Sequence, residues 1–297
     1  MTRLDVISGF LGAGKTTFIL RLIQALKNEK IAIIENEYGR VGIDGDIVRT
    51  AGMDVYELTN GCICCSLKND LRHTLETILE RQVDRVVFEP SGIFVLSELL
   101  DLFKDPGLRS RCALNAVVTV VDATNFFTHL DRYPGFIKDQ IQGASVLIVS
   151  KSQLVDARVL REIEDHLCRL NPMVPVWSKP WDELSDHVLL GFLAGSHRKS
   201  LGRELARPQG EHEFEAFSII TGKQFTEEQL VCFLHQVLNG VYGGIVRGKG
   251  VVPSGQGGLS FNYVTGQYEV RQTSDCSGKI SLIGRDMKVE ELKKFFQ

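Results

Sequence analysis

Residues Gly9-Phe10-Leu11-Gly12-Ala13-Gly14-Lys15-Thr16-Thr17 fit the pattern G-x-x-x-x-G-K-[ST], and this stretch restricts the fold more than any other in the chain. Leu4-Asp5-Val6-Ile7-Ser8 before it reads as a short buried strand, and Ile19, Leu22, Ile23 and Leu26 after it recur at helical spacing. The glycines therefore lie in a strand-to-helix turn. Side chains there would hold the backbone away from a phosphate, whose charge is met by successive N–H groups and by the positive end of the helix. In this pattern Gly9, Gly12, Ala13, Gly14 and Thr17 belong to the cradle. Lys15 reaches the β and γ phosphates and is the first catalytic candidate, and Thr16 holds the Mg²⁺ that bridges them. A glycine-rich turn without a ligand accounts for the glycines but not for Lys-Thr in register after a strand.

Further apolar strands follow at Ile31–Glu35, Val55–Leu58, Arg85–Glu89, Ala116–Asp122 and Ser145–Val149, with helical spacing such as Leu67, Leu71, Leu75 and Ile78 between them. This is the signature of an α/β chain, a three-layer P-loop NTPase domain with a mainly parallel sheet, over residues 1–195. Gly195 to His212 is polar, basic and aperiodic, and reads as a linker. Residues 212–297 then form a smaller α+β domain. Phe214 to Ile220 is a strand, Leu230, Phe233, Leu234, Val237 and Leu238 line one helix face, and short strands with glycine-rich turns complete it. Val246-Arg247-Gly248-Lys249-Gly250-Val251 reads as a solvated basic hairpin turn.

Two carboxylate-bearing segments are placed to serve the phosphates. The polar stretch Asn36 to Asp46 follows the second strand, where such loops lie over the phosphates, so Glu37 is a metal-ligand candidate and Asp44 a catalytic one. An ordinary solvated loop is the other reading. Glu89 closes an apolar strand just before Pro90-Ser91-Gly92, as in a Walker B acid followed by a switch glycine: an acid near Mg²⁺ and a Gly92 N–H near the γ-phosphate. Asp122 ends an equally apolar strand and competes for the role, or caps the next segment.

Three of the seven cysteines, Cys62, Cys64 and Cys65, fall within four residues. In a turn their thiolates converge as ligands for Zn²⁺, Co²⁺ or Cu(I), leaving a fourth position for another donor. Core-filling cysteines and a redox pair are the alternatives, although neither Cys62-Ile63-Cys64 nor Cys64-Cys65 has C-x-x-C spacing. An odd, clustered set suits reduced thiols better than a disulfide framework.

Ser150-Lys151-Ser152-Gln153 stands where GTPases carry N-K-x-D. The aspartate of that motif accepts two hydrogen bonds from guanine, whereas the Gln153 amide has one acceptor oxygen and a donor that would face a donor. Guanine preference is weakened, GTP and ATP both stay in view, and Lys151 is left to cover the base. The net charge of -3 gives no general attraction to nucleic acid or to anionic membrane. Met1 runs straight into the first strand and no apolar run reaches the ~20 residues needed to span a bilayer, so a cytoplasmic protein is expected.

Taken together, Gly9 to Thr17, Glu35-Asn36-Glu37-Tyr38-Gly39, Leu58-Thr59-Asn60-Gly61-Cys62-Ile63-Cys64-Cys65 and Glu89-Pro90-Ser91-Gly92 resemble the CobW-like GTPases, relatives of the HypB and UreG metal-insertion proteins. The resemblance runs over nearly the whole chain, including Val120-Val121-Asp122-Ala123 and Ile283-Gly284-Arg285-Asp286. It implies a GTP-hydrolysing metallochaperone that holds zinc or cobalt on the C-x-C-C cysteines between two switch regions, serves a client metalloprotein, and uses Glu89 as the Walker B-like acid. Two departures stand out: Ser150 and Gln153 in the base-reading motif, and Arg40 where some members place an acid. A rival class is a P-loop kinase or ATP-driven activase with structural or redox cysteines. The sequence leaves client and oligomeric state open.

Overall fold

Alternation of apolar strands and helices produces one wholly parallel sheet in the N-terminal part of the chain. Its strands are β1 (Thr2–Ser8), β2 (Ile31–Asn36), β3 (Asp54–Leu58), β4 (Arg85–Glu89), β5 (Cys112–Asp122), β6 (Val146–Ser150) and β7 (Val176–Trp177), in the spatial order β3-β2-β4-β1-β5-β6-β7. The computed structural model describes residues 1–27, 29–36, 54–58, 66–194, 214–255 and 257–297, and divides into two compact units, each carrying one sheet. Glu37, Asp44, Cys62, Cys64, Cys65 and the Gly195–His212 linker lie outside the described residues.

Helices cover both faces of the parallel sheet, which is why its strands read as near-continuous apolar runs. On one face α1 (Lys15–Ala25) and α8 (Asp186–Leu193) bury Phe18, Ile19, Leu22, Leu189 and Leu193 against Ile7, Ile33, Val87 and Val118. On the other, α2 (Ser66–Glu80) and α3 (Leu96–Leu102) bury Leu71, Leu75, Ile78, Leu96 and Leu99 against Val6, Ile34, Val86 and Phe88. The remaining helices of this unit are α4 (Pro106–Arg111), α5 (Phe126–Arg132), α6 (Pro134–Gln142) and α7 (Ala157–Leu170).

Period-two alternation carries the rows of Ile33 and Val87 on to Glu35 and Glu89, which are paired in register at the C-terminal end of the sheet. The chain leaves β1 toward β2 on one side and later crosses from β4 to β5 on the other, a reversal of strand order that opens a crevice at the C-terminal end of β1, where open α/β sheets bind ligands.

The second unit is an antiparallel sheet, β11-β10-β9-β12-β8, built from β8 (Glu215–Ile220), β9 (Gly244–Ser254), β10 (Gly257–Val264), β11 (Gln267–Thr273) and β12 (Lys279–Arg285). Helices α9 (Glu227–Leu238) and α10 (Val289–Phe296) add Leu230, Phe233, Leu234, Leu292 and Phe296 to one core with Phe261, Ile280 and Leu282. The Thr226 hydroxyl accepts from the Gln229 amide and the Gln229 side chain accepts from the Thr226 N–H, a capping box that fixes where α9 begins.

Residues 246–251 are not the hairpin turn their composition suggests. They lie inside β9, paired with β10 on one side and β12 on the other. The physical reason is space: a Cβ on Gly250 would stand 2.7 Å from the Phe261 ring and one on Gly248 2.8 Å from Leu282 Cδ2. Here glycine makes room for large core side chains rather than bending the chain.

Candidate nucleotide site

Gly9 follows β1 at a φ of 142°, and a Cβ there would come within 2.3 Å of the Val120 carbonyl oxygen. Only glycine brings the turn this close to β5. Gly12 and Gly14 also have positive φ, 74° and 98°, and Gly14 stands immediately before α1. Ala13 between them is buried. The Lys15 ammonium folds back over the turn and donates to the carbonyls of Gly9 (3.1 Å) and Phe10 (3.3 Å). Thr17 follows Thr16 in the first turn of α1.

Across the crevice, the Thr16 hydroxyl donates to the Glu89 carboxylate, with Oε1 at 3.1 Å and Oε2 at 3.2 Å. Two residues that the sequence gives to one ion thus meet, from α1 and from the end of β4. A Cβ on Gly92 would stand 2.4 Å from the Leu11 amide nitrogen, so the turn after Glu89 rests on the phosphate-binding turn itself. Asp122 is engaged elsewhere: it accepts from the Lys151 ammonium (2.7 Å), from the Thr124 amide and hydroxyl, and from Asn125. Burial would raise its carboxyl, but these bonds outweigh that and hold its pKa below the ordinary value. Gln153 is exposed in a 3-10 turn, Ser152–Leu154.

Several neighbours of this site have no role assigned from the sequence. Glu35 is buried beside Glu89 in register, and its place at the end of an apolar strand is the signal that finds it. Gln140 donates its side-chain amide to the Gly92 carbonyl at 2.9 Å, while its backbone carbonyl accepts from the Thr119 hydroxyl. The adjoining Asp139 accepts from the amides of Leu96 and Ser97 at the start of α3. α6 therefore holds both the turn after Glu89 and the helix that follows it. Burial pushes the Asp139 carboxyl up to about 6 against these bonds. Phe10 packs at a tilt of 49° against His129 of α5, ring centroids 4.6 Å apart, and burial pushes that imidazole down to about 4.

Among the described residues no cluster of three or more His, Cys, Asp or Glu side chains is placed to hold a metal ion. Cys112 is buried with its thiol pushed up to about 11, and Cys168, Cys232 and Cys276 are exposed and scattered along the chain. Nor is any described helix long and apolar enough to cross a membrane.

Comparison with known proteins finds two family models that match this chain. A family described as "CobW/HypB/UreG, nucleotide-binding domain" matches residues 4–178, and "Cobalamin synthesis protein cobW C-terminal domain" matches residues 214–297. A protein of Sinorhizobium sp. named zinc chaperone CobW is 31% identical over 255 residues, covering 73% of this chain and 72% of the relative. The zinc-regulated GTPase metalloprotein activator 1 of Schizosaccharomyces pombe is 31% identical over 195 residues, 61% of this chain but 46% of the relative. The crystal structure of zinc-bound YjiA GTPase from E. coli shares the fold at a TM-score of 0.50 and 19% identity, covering 99% of this chain and 98% of that one.

Proposed function

The chain belongs to the CobW/HypB/UreG family, and on that premise we propose that it is a GTP-hydrolysing metallochaperone whose nucleotide state governs carriage of zinc or cobalt to a client metalloprotein in the cytoplasm. The observation that carries this reading is the meeting of Thr16 and Glu89 beside the glycine cradle. A hydroxyl and a carboxylate are hard oxygen donors suited to Mg²⁺, which keeps its remaining positions for water and phosphate oxygens. When bound, that ion supplies charge neutralisation between the β and γ phosphates.

The chain's own residues do the rest. Lys15 exchanges two backbone carbonyls for phosphate oxygens, a stronger partner for an ammonium group. The amides at the start of α1 would meet the phosphates, and Gly92 would offer its N–H from a turn that already rests on Leu11. Glu37 and Asp44, in one acidic stretch, are assigned to the cargo metal and to hydrolysis respectively. Cys62, Cys64 and Cys65 are assigned as the cargo-binding thiolates, supported by the scatter of the other cysteines.

Coupling requires that the metal bind one nucleotide state better than the other. Anaerobic zinc and cobalt titrations of one preparation, loaded with GDP or with a non-hydrolysable GTP analogue, are expected to differ about tenfold or more in affinity. The Cys62/Cys64/Cys65→Ser variant is expected to lose the tight site, and Lys15→Ala to lose the nucleotide dependence. Equal affinities in the two states would remove the coupled mechanism.

A further inference from the structure

The segment that stands where GTPases carry N-K-x-D lacks the asparagine and aspartate of that motif, and an aromatic side chain, Trp181, packs beside it. Ser150 is buried at the end of β6, and its hydroxyl donates to the Ala13 carbonyl at 2.6 Å, with the Val121 carbonyl at 3.2 Å. A short side chain here still ties β6 to the phosphate-binding turn. Trp181, in the 3-10 turn Trp181–Glu183 after β7, fills the neighbouring space. Its indole N–H donates to the Val149 carbonyl (3.3 Å) and its ring stands edge-on to Phe18, centroids 5.7 Å apart. A Cβ on Gly14 would lie 3.5 Å from Trp181 Cη2 and 3.9 Å from Ser150 Cβ, so both residues border the start of α1. Trp181 is only half-buried.

Of the neighbouring charges Lys151, Asp122 and Glu183 have partners, and Asp182 is exposed. Lys151 has a φ of 57° and its ammonium is held on Asp122, which fixes the direction of its aliphatic stem. Asp122 itself is engaged by Lys151, Thr124 and Asn125. Glu183 faces Lys179 at 3.8 Å. Gln153 presents an amide where two acceptor oxygens are needed to read guanine.

We propose that Trp181 and the Lys151 stem select the base by packing, without a carboxylate, so that the chain accepts adenine and guanine nucleotides alike. Stacking on an aromatic ring is tolerant of base identity because every base has a π-face. Strong discrimination instead needs polar groups that the wrong base leaves unpaired. The inference rests on the nucleotide-binding reading above and concerns only which base is accepted.

The test uses the full chain in a Trp177→Phe background, leaving Trp181 as its one tryptophan, with GDP and ADP titrated against its emission and by calorimetry. Emission is expected to change with both nucleotides, and their affinities to agree within about threefold. Trp181→Ala is expected to weaken both by about tenfold and Trp181→Phe to weaken neither strongly. Should Trp181→Ala fail to fold, Trp181→Leu against Trp181→Phe carries the same contrast. Gln153→Asp is expected to create a guanine preference of about thirtyfold or more.

A wild-type preference for GDP above thirtyfold overturns the proposal, and its loss in Asp182→Ala would place the missing acceptor on the turn after β7. Loss of guanine affinity alone in Trp181→Ala overturns it equally. Absence of binding by either nucleotide, or binding indifferent to Lys15→Ala, would instead sink the functional reading on which it rests.

Discussion

The two ends of the parallel sheet both hold buried charge, and they hold it in different ways. At the N-terminal end Arg85 donates to Asp5 and, at 2.6 Å, to Glu29, which also meets Arg3 at 3.0 Å. Asn115 donates to the second Asp5 oxygen. Burial alone would raise the Glu29 carboxyl, but its arginine partners outweigh burial and hold it below the ordinary carboxylate range. At the C-terminal end Lys15 donates to backbone carbonyls and Glu89 accepts a hydrogen bond from the Thr16 hydroxyl. At the N-terminal end the charges close on each other in one cluster. At the C-terminal end Lys151 closes on Asp122 in the same way, while Lys15 and Glu89 also hold carbonyl and hydroxyl dipoles that phosphate and a divalent cation can outcompete. The same residue types thus serve stability in one place and ligand exchange in the other.

Arg85→Leu should produce the largest effect on folding. It leaves Asp5 buried without its cation, which costs about 3–5 kcal/mol by urea denaturation, while hydrolysis per folded molecule stays unchanged. Asp5→Asn combined with Arg85→Met should recover most of that loss. A cost below about 1 kcal/mol for Arg85→Leu would remove the distinction between the ends. Glu89→Gln should invert the pattern. Steady-state hydrolysis is expected to fall about a hundredfold or more, with the unfolding free energy within about 1 kcal/mol of wild type. A large stability loss there would make Glu89 a structural residue.

What the sequence discloses follows the same division. The glycine cradle and Glu89 are legible because each combines an unusual residue with its strand context, and the sheet is legible because parallel strands are apolar throughout. The helices at Phe126–Arg132 and Pro134–Gln142 are short and carry little periodic signal, so nothing local announces Gln140 or Asp139. Their roles come from reaching Gly92, Leu96 and Ser97 through the fold. Residues 246–251 show the converse. Glycine usually marks turns, and whether Gly248 and Gly250 bend a chain or admit Phe261 and Leu282 is decided by side chains elsewhere.

Asp139 and His129 offer a finer comparison within the ligand-binding end, because burial acts on them with opposite sign. With its pKa raised to about 6, Asp139 keeps a proton in the folded chain that the unfolded chain, at about 3.9, has lost. The folded state then binds more protons, and this group's contribution to stability falls as pH rises from about 4 to 6. His129, lowered to about 4 from about 6.5, is protonated first in the unfolded chain, so its contribution rises over nearly the same window. Each amounts to roughly 3 kcal/mol at full extent. Relative to wild type, Asp139→Asn should therefore tilt the stability profile upward between pH 4 and 6, and His129→Phe should tilt it downward. Denaturation midpoints across that range measure both, and parallel profiles would remove the assigned shifts.

Gln140→Leu is the smallest and most selective change. It removes the amide that holds the Gly92 carbonyl, at a site where neither residue is a phosphate ligand through that contact. If α6 positions the turn after Glu89, the variant should bind GDP as wild type does, since the cradle of Gly9 to Thr17 is untouched. Its kcat should drop about tenfold with KM unchanged, the split expected when an interaction made in the transition state is lost. Gln140→Asn is too short to reach Gly92 and should behave like leucine, whereas Gln140→Glu presents a carboxylate to a carbonyl and should be slower still. A rise in KM with kcat preserved would place Gln140 on substrate binding and separate α6 from the hydrolytic end of the sheet.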